Sequence, residues 1–268
     1  MSDILELQKL PKDHLSWSQI ASFIRCPLSY YFRYVEGRII PPPGAIILGT
    51  SSHIALETDL KQKIDSKENI PTEEVKEIMS DAWESTVEKA VDNFGEVNWE
   101  NDKPGELKDS GISALANYHE QEAVKIQPEA DGVEKKFTQT FKNSPLTIIG
   151  SIDCVTDINI IDWKNCKRKE SVSYMNGVVI EAPPPWQLIL YSISNPKKEL
   201  REDRIIRTKK PDYQIFRWLS DLTLQAHLLK TINSISLAIR TGIYYPTPDT
   251  LRINCKFCGY SKLCKEWK

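Results

Sequence analysis

Residues 146–164 read LTIIGSIDCVTDINIIDWK, two apolar runs joined by a short polar break. β-Branched residues dominate both runs, which points to strands rather than a buried helix. Thr156 and Asp157 supply the turn. A two-residue loop at Asp157–Ile158 pairs 156 with 159 and therefore 153 with 162. In that register Asp153 and Asp162 face the same way, with Cα atoms about 4.5–5.5 Å apart. Alternation sets Lys164 on the face of Asp162. A three-residue loop would flip one strand and part the carboxylates. Two acids so close repel unless a cation joins them, so a divalent metal is the natural occupant. A lysine beside them can offset charge on a phosphate, as metal-assisted phosphodiester hydrolysis requires.

The tripeptide Asp162-x-Lys164 says little alone. The same acid-x-Lys spacing starts at Asp59, Asp65, Glu74, Glu106, Glu134 and Glu266, and a surface salt pair is its default meaning. What separates it is the apolar strand around it and the texture on either side. Val133–Phe141 reads as a further strand, with Asn143-Ser144-Pro145 as a turn. Residues 203–209 and 213–218 read as strands, and Leu222–Ile239 as a long amphipathic helix. Pro183-Pro184-Pro185 opens a short helix, Trp186–Ser194. Upstream, residues 16–36 carry apolar groups at helical spacing, capped at Ser16 or Ser18 and broken by Pro27. A helix through His53 is expected to start near Gly49, after Pro41-Pro42-Pro43-Gly44, which reads as a rigid linker. Residues 65–130 are polar with helical apolar stripes, and predict a helical insertion packed beside the core. The order of elements indicates an α/β fold with a mixed sheet.

Charge and composition narrow the function. Lys+Arg is 35 and Asp+Glu 37, a net charge of −2 in 268 residues. Bulk positive charge therefore cannot drive nucleic-acid binding; any basic groove must be local. The length suits one domain with an insertion. No apolar run approaches the ~20 residues of a membrane helix, and the acidic N-terminus lacks a signal-peptide pattern, so a cytoplasmic protein without membrane contact is expected.

Three of the six cysteines, Cys255, Cys258 and Cys264, fall in the last fourteen residues. Disulfides are unexpected in a reducing compartment. Three thiolates cannot close a tetrahedral site, and Cys26, beside Pro27, is the best fourth ligand. Spacing leaves zinc and an iron–sulfur cluster both open. Cys154 and Cys166 read as small core residues. Gly49-x-x-x-His53 places His53 and Glu57 on one helical face, and Gln187 and Tyr191 share another. Alone, His53 is by default a packed or solvated histidine, and Gln187 with Tyr191 is an ordinary amphipathic face.

Taken in order, Ser16-x-Ser18…Cys26-Pro27, Gly49-x-x-x-His53-x-x-Leu56-Glu57, Gly150-Ser151-Ile152-Asp153, Asp162-Trp163-Lys164, Gln187-x-x-x-Tyr191 and the cysteine tail span residues 16–264. Together they resemble the RecB-like branch of the PD-(D/E)XK nuclease superfamily in its iron–sulfur form. Relatives there include nuclease domains of recombination helicase–nucleases, the CRISPR-associated adaptation exonuclease and phage-encoded counterparts. The resemblance implies a restriction-endonuclease-like core and a single nuclease domain. It implies that His53, Asp153, Asp162 and the Trp163 carbonyl hold Mg²⁺ or Mn²⁺, with Asp153, Asp162 and Lys164 catalytic. It makes Gln187 and Tyr191 substrate contacts. It also implies that Cys26, Cys255, Cys258 and Cys264 ligate a 4Fe-4S cluster, so that residues 16–36 and 254–267 form one stapled module.

The leading expectation is thus a metal-dependent DNA exonuclease acting on single strands or ends, in recombination, repair, phage DNA processing or CRISPR adaptation. Lys167, Arg168, Lys169, Arg207, Lys209 and Lys210 are candidate phosphate contacts, against the plainer reading of solvated surface charges. No Gly-x-x-x-x-Gly-Lys-Ser/Thr occurs, so a helicase or recombination partner would be a separate chain. The rival of another class is a non-catalytic DNA-binding or scaffold subunit. The intact His53, Asp153, Asp162 and Lys164 set argues against it. A zinc-stapled binding module leaves the carboxylate hairpin unexplained.

Overall fold

Ser16 starts the first helix by accepting a hydrogen bond from the Gln19 N–H at 3.4 Å, which caps α1 (Trp17–Arg25). The computed structural model describes residues 9–141, 144–171, 173–175, 178–180, 182–247, 253–256 and 258–267. Cys26 is extended (φ −164°) and Pro27 occupies the first position of α2 (Pro27–Tyr30), so the expected break falls where the proline puts it. A π-helical turn, Tyr31–Val35, follows. α3 (Gly44–Ser66) begins five residues before the expected Gly49, directly after Pro43. The proline run is thus a helix start rather than a linker. Gly44 is needed at that start, because a Cβ there would lie 2.8 Å from the Trp99 ring.

Two compact units divide the chain: Met1–Ile40, Lys136–Gly150 and Leu222–Lys268 form one, and Pro41–Lys135 with Ser151–Asp221 form the other. In the second, α3 is joined by α4 (Thr72–Phe94), α5 (Pro104–Gln121) and a 3₁₀ turn, Ala123–Lys125. These helices share the hydrophobic core of the sheet. Val75, Met79, Trp83, Leu115 and Tyr118 are buried in one cluster with Cys154, Ile161 and Trp163 of the sheet. The polar residues that suggested a satellite lie on the outer faces. Asp59, which is fully buried, also ties the helices together. Its carboxylate accepts from Asn69 Nδ2 (2.7 Å), the Ile70 N–H (2.8 Å) and His119 Nε2 (3.1 Å), while Thr72 Oγ1 meets His119 Nδ1 at 2.9 Å.

The strands are β1 (Pro128–Phe141), β2 (Ser144–Thr156), β3 (Asn159–Cys166), β4 (Ser173–Met175), β5 (Val178–Ile180), β6 (Glu199–Ile206) and β7 (Asp212–Trp218). Helices α6 (Trp186–Ser192), α7 (Leu222–Arg240), α8 (Ile253–Lys256) and α9 (Ser261–Glu266) complete the described chain. A five-stranded mixed sheet, flanked by helices, has the order β1-β2-β3-β6-β7, and β4 pairs with β5 separately. Cys154 pairs with Ile161 and Val155 with Ile160, antiparallel, which is the register read from the two-residue loop. β3 runs parallel to β6, with Asp162 beside Glu202 and Trp163 beside Asp203. This pairing explains why β6 starts at Glu199, earlier than residue 203: Asn159 at the head of β3 pairs with Glu199. Of the expected turn at 143–145, Asn143 lies outside the described residues.

α5 offers a test of this packing. A Cβ on Gly111 would stand 2.2 Å from Leu48 Cδ1 and 3.1 Å from Met79 Cε, whereas one on Gly105 meets nothing within 4 Å. Helix propensity favours alanine over glycine by about 0.8–1 kcal/mol. Gly105→Ala should therefore be neutral or stabilising by up to that amount in denaturant unfolding. Gly111→Ala should instead destabilise by roughly 1–3 kcal/mol, because the buried Leu48 must shift.

Candidate metal centre

The site residues His53, Glu134, Asp153, Asp162, Lys164 and Gln187 all lie within the second unit. β2 and β3 present Asp153 and Asp162, which are 7% and 1% exposed. α3 lies against β3 through Ser51 and Ser52, fully buried serines small enough for close approach, and Ser52 Oγ reaches Asn165 Oδ1 at 3.4 Å. One residue on, His53 projects at the carboxylates: its Nε2 lies 3.1 Å from the Trp163 carbonyl and its Nδ1 3.6 Å from Asp153 Oδ1. With the proton on Nε2, the histidine donates to that carbonyl and turns the bare Nδ1 lone pair toward a carboxylate oxygen. At 3.6 Å two such acceptors have no proton to share, and a cation is the group that suits both. Trp163 also donates its backbone N–H to Asp153 Oδ2 at 2.9 Å, fixing that carboxylate.

β1 adds a residue that sequence reasoning missed. Glu134 sits in left-handed backbone (φ +49°) within the strand, at a cost of about 1–3 kcal/mol for a non-glycine residue. Gly132 permits the kink: a Cβ there would lie 2.2 Å from the Val155 carbonyl oxygen. Ser151 Oγ then holds Glu134 Oε2 at 2.7 Å. Ligand atoms of His53, Glu134 and Asp153 all lie within 4.8 Å of one another. The nearest signal was Gly132, just ahead of the strand expected from Val133, since a glycine at a strand often marks a bulge, and bulges re-aim side chains beside active sites.

Asp162 and Lys164 form the other half. Lys164 Nζ lies 2.6 Å from Asp162 Oδ2 and 3.3 Å from Gln187 Oε1. Gln187 Nε2 donates to Tyr191 Oη at 2.7 Å, so the pair expected to meet substrate is coupled to the lysine. Neither buried oxygen of Asp162 accepts a well-directed hydrogen bond among the described residues. Burial pushes the Asp162 carboxyl up to about 6, with Lys164 opposing and Asp153 adding to the rise. Asp153 is likewise raised, by burial above all, against the hydrogen bond it accepts from the Trp163 N–H. Burial works against the Lys164 charge, yet Asp162 outweighs it and the ammonium's pKa is raised. The donor set fits a hard divalent ion: carboxylates, one imidazole nitrogen and an orphaned buried oxygen. The ligand atoms of Asp153, Glu134 and His53 lie close enough together to share such an ion. The Trp163 carbonyl, assigned to the metal by resemblance, is engaged by His53.

Among the basic residues, Lys167 pairs with Asp102 at 3.1 Å and Lys169 with Asp212. Arg168, Lys209 and Lys210 are exposed. Arg207 and Lys209 line a polar pocket of about 310 Å³ with Asp102 and Lys103. The cysteines lie in the first unit. Cys26, Cys258 and Cys264 pack around Leu28, Phe32 and Tyr260, and Cys255 is exposed. Burial raises the Cys264 thiol pKa, and Cys26, Cys258 and Cys255 each raise it further. Cys154 is a buried core residue and Cys166 is half-buried.

Asp162 sets a pH signature. A carboxyl whose pKa is raised on folding contributes stability that is fully present below its ordinary value of 3.8 and is lost as pH rises through about 6. In metal-free protein, Asp162→Asn should therefore gain roughly 2–3 kcal/mol at pH 7.5. That gain should vanish below about pH 4 in urea melts taken across the range.

A family model described as the PD-(D/E)XK nuclease superfamily matches residues 14–265. The crystal structure of a protein from Eubacterium rectale, named a putative exonuclease, superposes with a TM-score of 0.60 at 11% identity, covering 96% of this chain and 89% of that one. At that identity the likeness is one of fold. No curated protein matches. The family match runs over nearly all of a chain whose mixed sheet carries two buried aspartates and a lysine on one face, and the chain belongs to the PD-(D/E)XK nuclease superfamily.

Proposed function

We propose that the protein is a divalent-metal-dependent deoxyribonuclease that removes nucleotides from DNA ends or single strands. The observation that carries this reading is the pairing of two buried carboxylates, Asp153 and Asp162, with Lys164 at 2.6 Å from Asp162 and the His53–Glu134–Asp153 group beside them. His53, Glu134, Asp153 and Asp162 would hold Mg²⁺ or Mn²⁺. When bound, such an ion lowers the pKa of water and polarises a phosphoryl oxygen. Trp163 positions two of these ligands, His53 through its carbonyl and Asp153 through its N–H. Lys164, held by Asp162 and Gln187, places a cation where charge grows on the phosphate oxygens in the transition state. Gln187 and Tyr191 fix the direction of that ammonium and can turn toward substrate. Exonuclease action draws support from the likeness in fold to the Eubacterium rectale protein and its name.

The same reading assigns a 4Fe-4S cluster to Cys26, Cys255, Cys258 and Cys264. Support comes from three of these thiols packing around one small apolar cluster, with the fourth close enough to act on their ionisation. Thiolate donors suit iron–sulfur clusters, and a clip between segments 229 residues apart from Cys26 to Cys255 would close a long loop.

Lys164→Ala separates enzyme from binder. Turnover on end-labelled DNA in Mn²⁺ should fall by about 10²–10³-fold, or roughly 3–4 kcal/mol of transition-state stabilisation. Affinity for the same oligonucleotide in Ca²⁺ should fall less than about tenfold. Undiminished cleavage in the variant would assign the activity to another group, and a wild type that binds DNA without cutting it would be a scaffold subunit. For the cluster, anaerobically purified protein should be brown with about four irons per chain, and Cys258→Ala should bleach it. Colourless protein with stoichiometric zinc would overturn the iron–sulfur assignment alone.

A further inference from the structure

Every polar group of Trp163 is engaged. Its backbone N–H donates to Asp153 Oδ2 at 2.9 Å, and its carbonyl meets His53 Nε2 at 3.1 Å. Its indole Nε1–H points to the opposite face of the sheet and donates to Tyr118 Oη at 3.0 Å. Tyr118 donates in turn to Asp203 Oδ2 at 2.5 Å. Asp203 is clamped by Arg201, through Nε at 2.7 Å and Nη2 at 2.5 Å, and Arg201 Nη2 also reaches Glu122 Oε1 at 2.9 Å. Tyr118 and Asp203 are fully buried, and Arg201 and Glu122 are nearly so. Trp163 and Asp203 are direct neighbours across the parallel β3–β6 pair, so the chain of bonds is anchored to the strand next to the site.

Stability alone is a poor account of this network. Taking an arginine and two carboxylates out of water costs several kcal/mol per ion, and apolar replacements of like volume are often neutral or better. What the network does supply is a fixed indole. A tryptophan held at its ring nitrogen cannot tilt, and its peptide planes then keep their aim at His53 and Asp153. Metal-binding histidines depend on an outer partner for their second ring nitrogen, and loss of such partners typically weakens metal affinity by 10–100-fold. We propose that Tyr118 is a positioning residue for the metal site and acts through Trp163, from the far side of the sheet. This rests on the metal-site reading above, and nothing in the spacing of site motifs marks Tyr118 for such a role.

The test is Mn²⁺ affinity of the full chain without DNA, read from the electron paramagnetic resonance signal of free Mn²⁺. Tyr118→Phe keeps the ring and its edge-on contact with Tyr213 but leaves the Trp163 indole N–H without its acceptor. Its Mn²⁺ affinity should fall about tenfold, and cleavage should recover to within about threefold of wild type when Mn²⁺ is saturating. A merely structural role would lower the melting temperature and leave Mn²⁺ affinity of the folded protein unchanged. Trp163→Phe should show a similar loss, and the double variant no more than about threefold beyond either single one, since both cut the same link. Wild-type affinity in Tyr118→Phe overturns the inference and leaves the nuclease reading standing. A wild type that binds no Mn²⁺ overturns both. Should Tyr118→Phe not fold, Trp163→Phe decides: affinity within twofold of wild type overturns the proposal.

Discussion

Two carboxylates on adjacent strands, both withdrawn from water, are the constraint that organises this protein. Asp153 and Asp162 cannot both be charged in an apolar interior without compensation. Each compensating group is visible. Lys164 sits 2.6 Å from Asp162, and the Trp163 N–H bonds Asp153. The offset is incomplete, since both carboxyls remain raised by burial. A divalent ion between the two carboxylates would offset the charge that burial leaves uncompensated. Perturbed carboxylates of this kind concentrate at functional sites.

The backbone carries a second stress in the same place. Glu134 is in the left-handed region in the middle of a strand, a conformation that glycine would tolerate and glutamate does not favour. The kink brings its carboxylate to His53 and Asp153. Strain, desolvation and like-charge crowding thus meet at one point. A strained residue at a functional position is where a local rule is expected to give way.

Much of the site was legible because strand alternation and loop length fix which side chains share a face. Asp153, Asp162 and Lys164 could be set together from the Asp157–Ile158 turn, and the 154–161 pairing agrees. His53 was legible only with the motif order, since a lone histidine on a helix has many uses. Glu134 was not legible: its Glu-x-Lys context matched several uninformative neighbours, and a backbone kink leaves no residue-type signature beyond Gly132. Tyr118, Arg201 and Asp203 were invisible for a different reason. They lie on the far face and meet only through tertiary packing of α5 on the sheet. The helices of residues 72–121 were legible as helices, but not their share in the core, because polar outer faces masked the buried stripes of Val75, Met79, Leu115 and Tyr118.

The proposed site would hold one ion on His53 together with Glu134 and Asp153. Pulsed electron paramagnetic resonance on Mn²⁺-loaded protein reads this directly, because a coordinated imidazole nitrogen modulates the spin echo. The chain has four histidines, so the assignment needs one variant. A single nitrogen coupling should be present in the wild type and disappear in His53→Gln. Bound Mn²⁺ without nitrogen coupling, or a coupling that persists in His53→Gln, would contradict it.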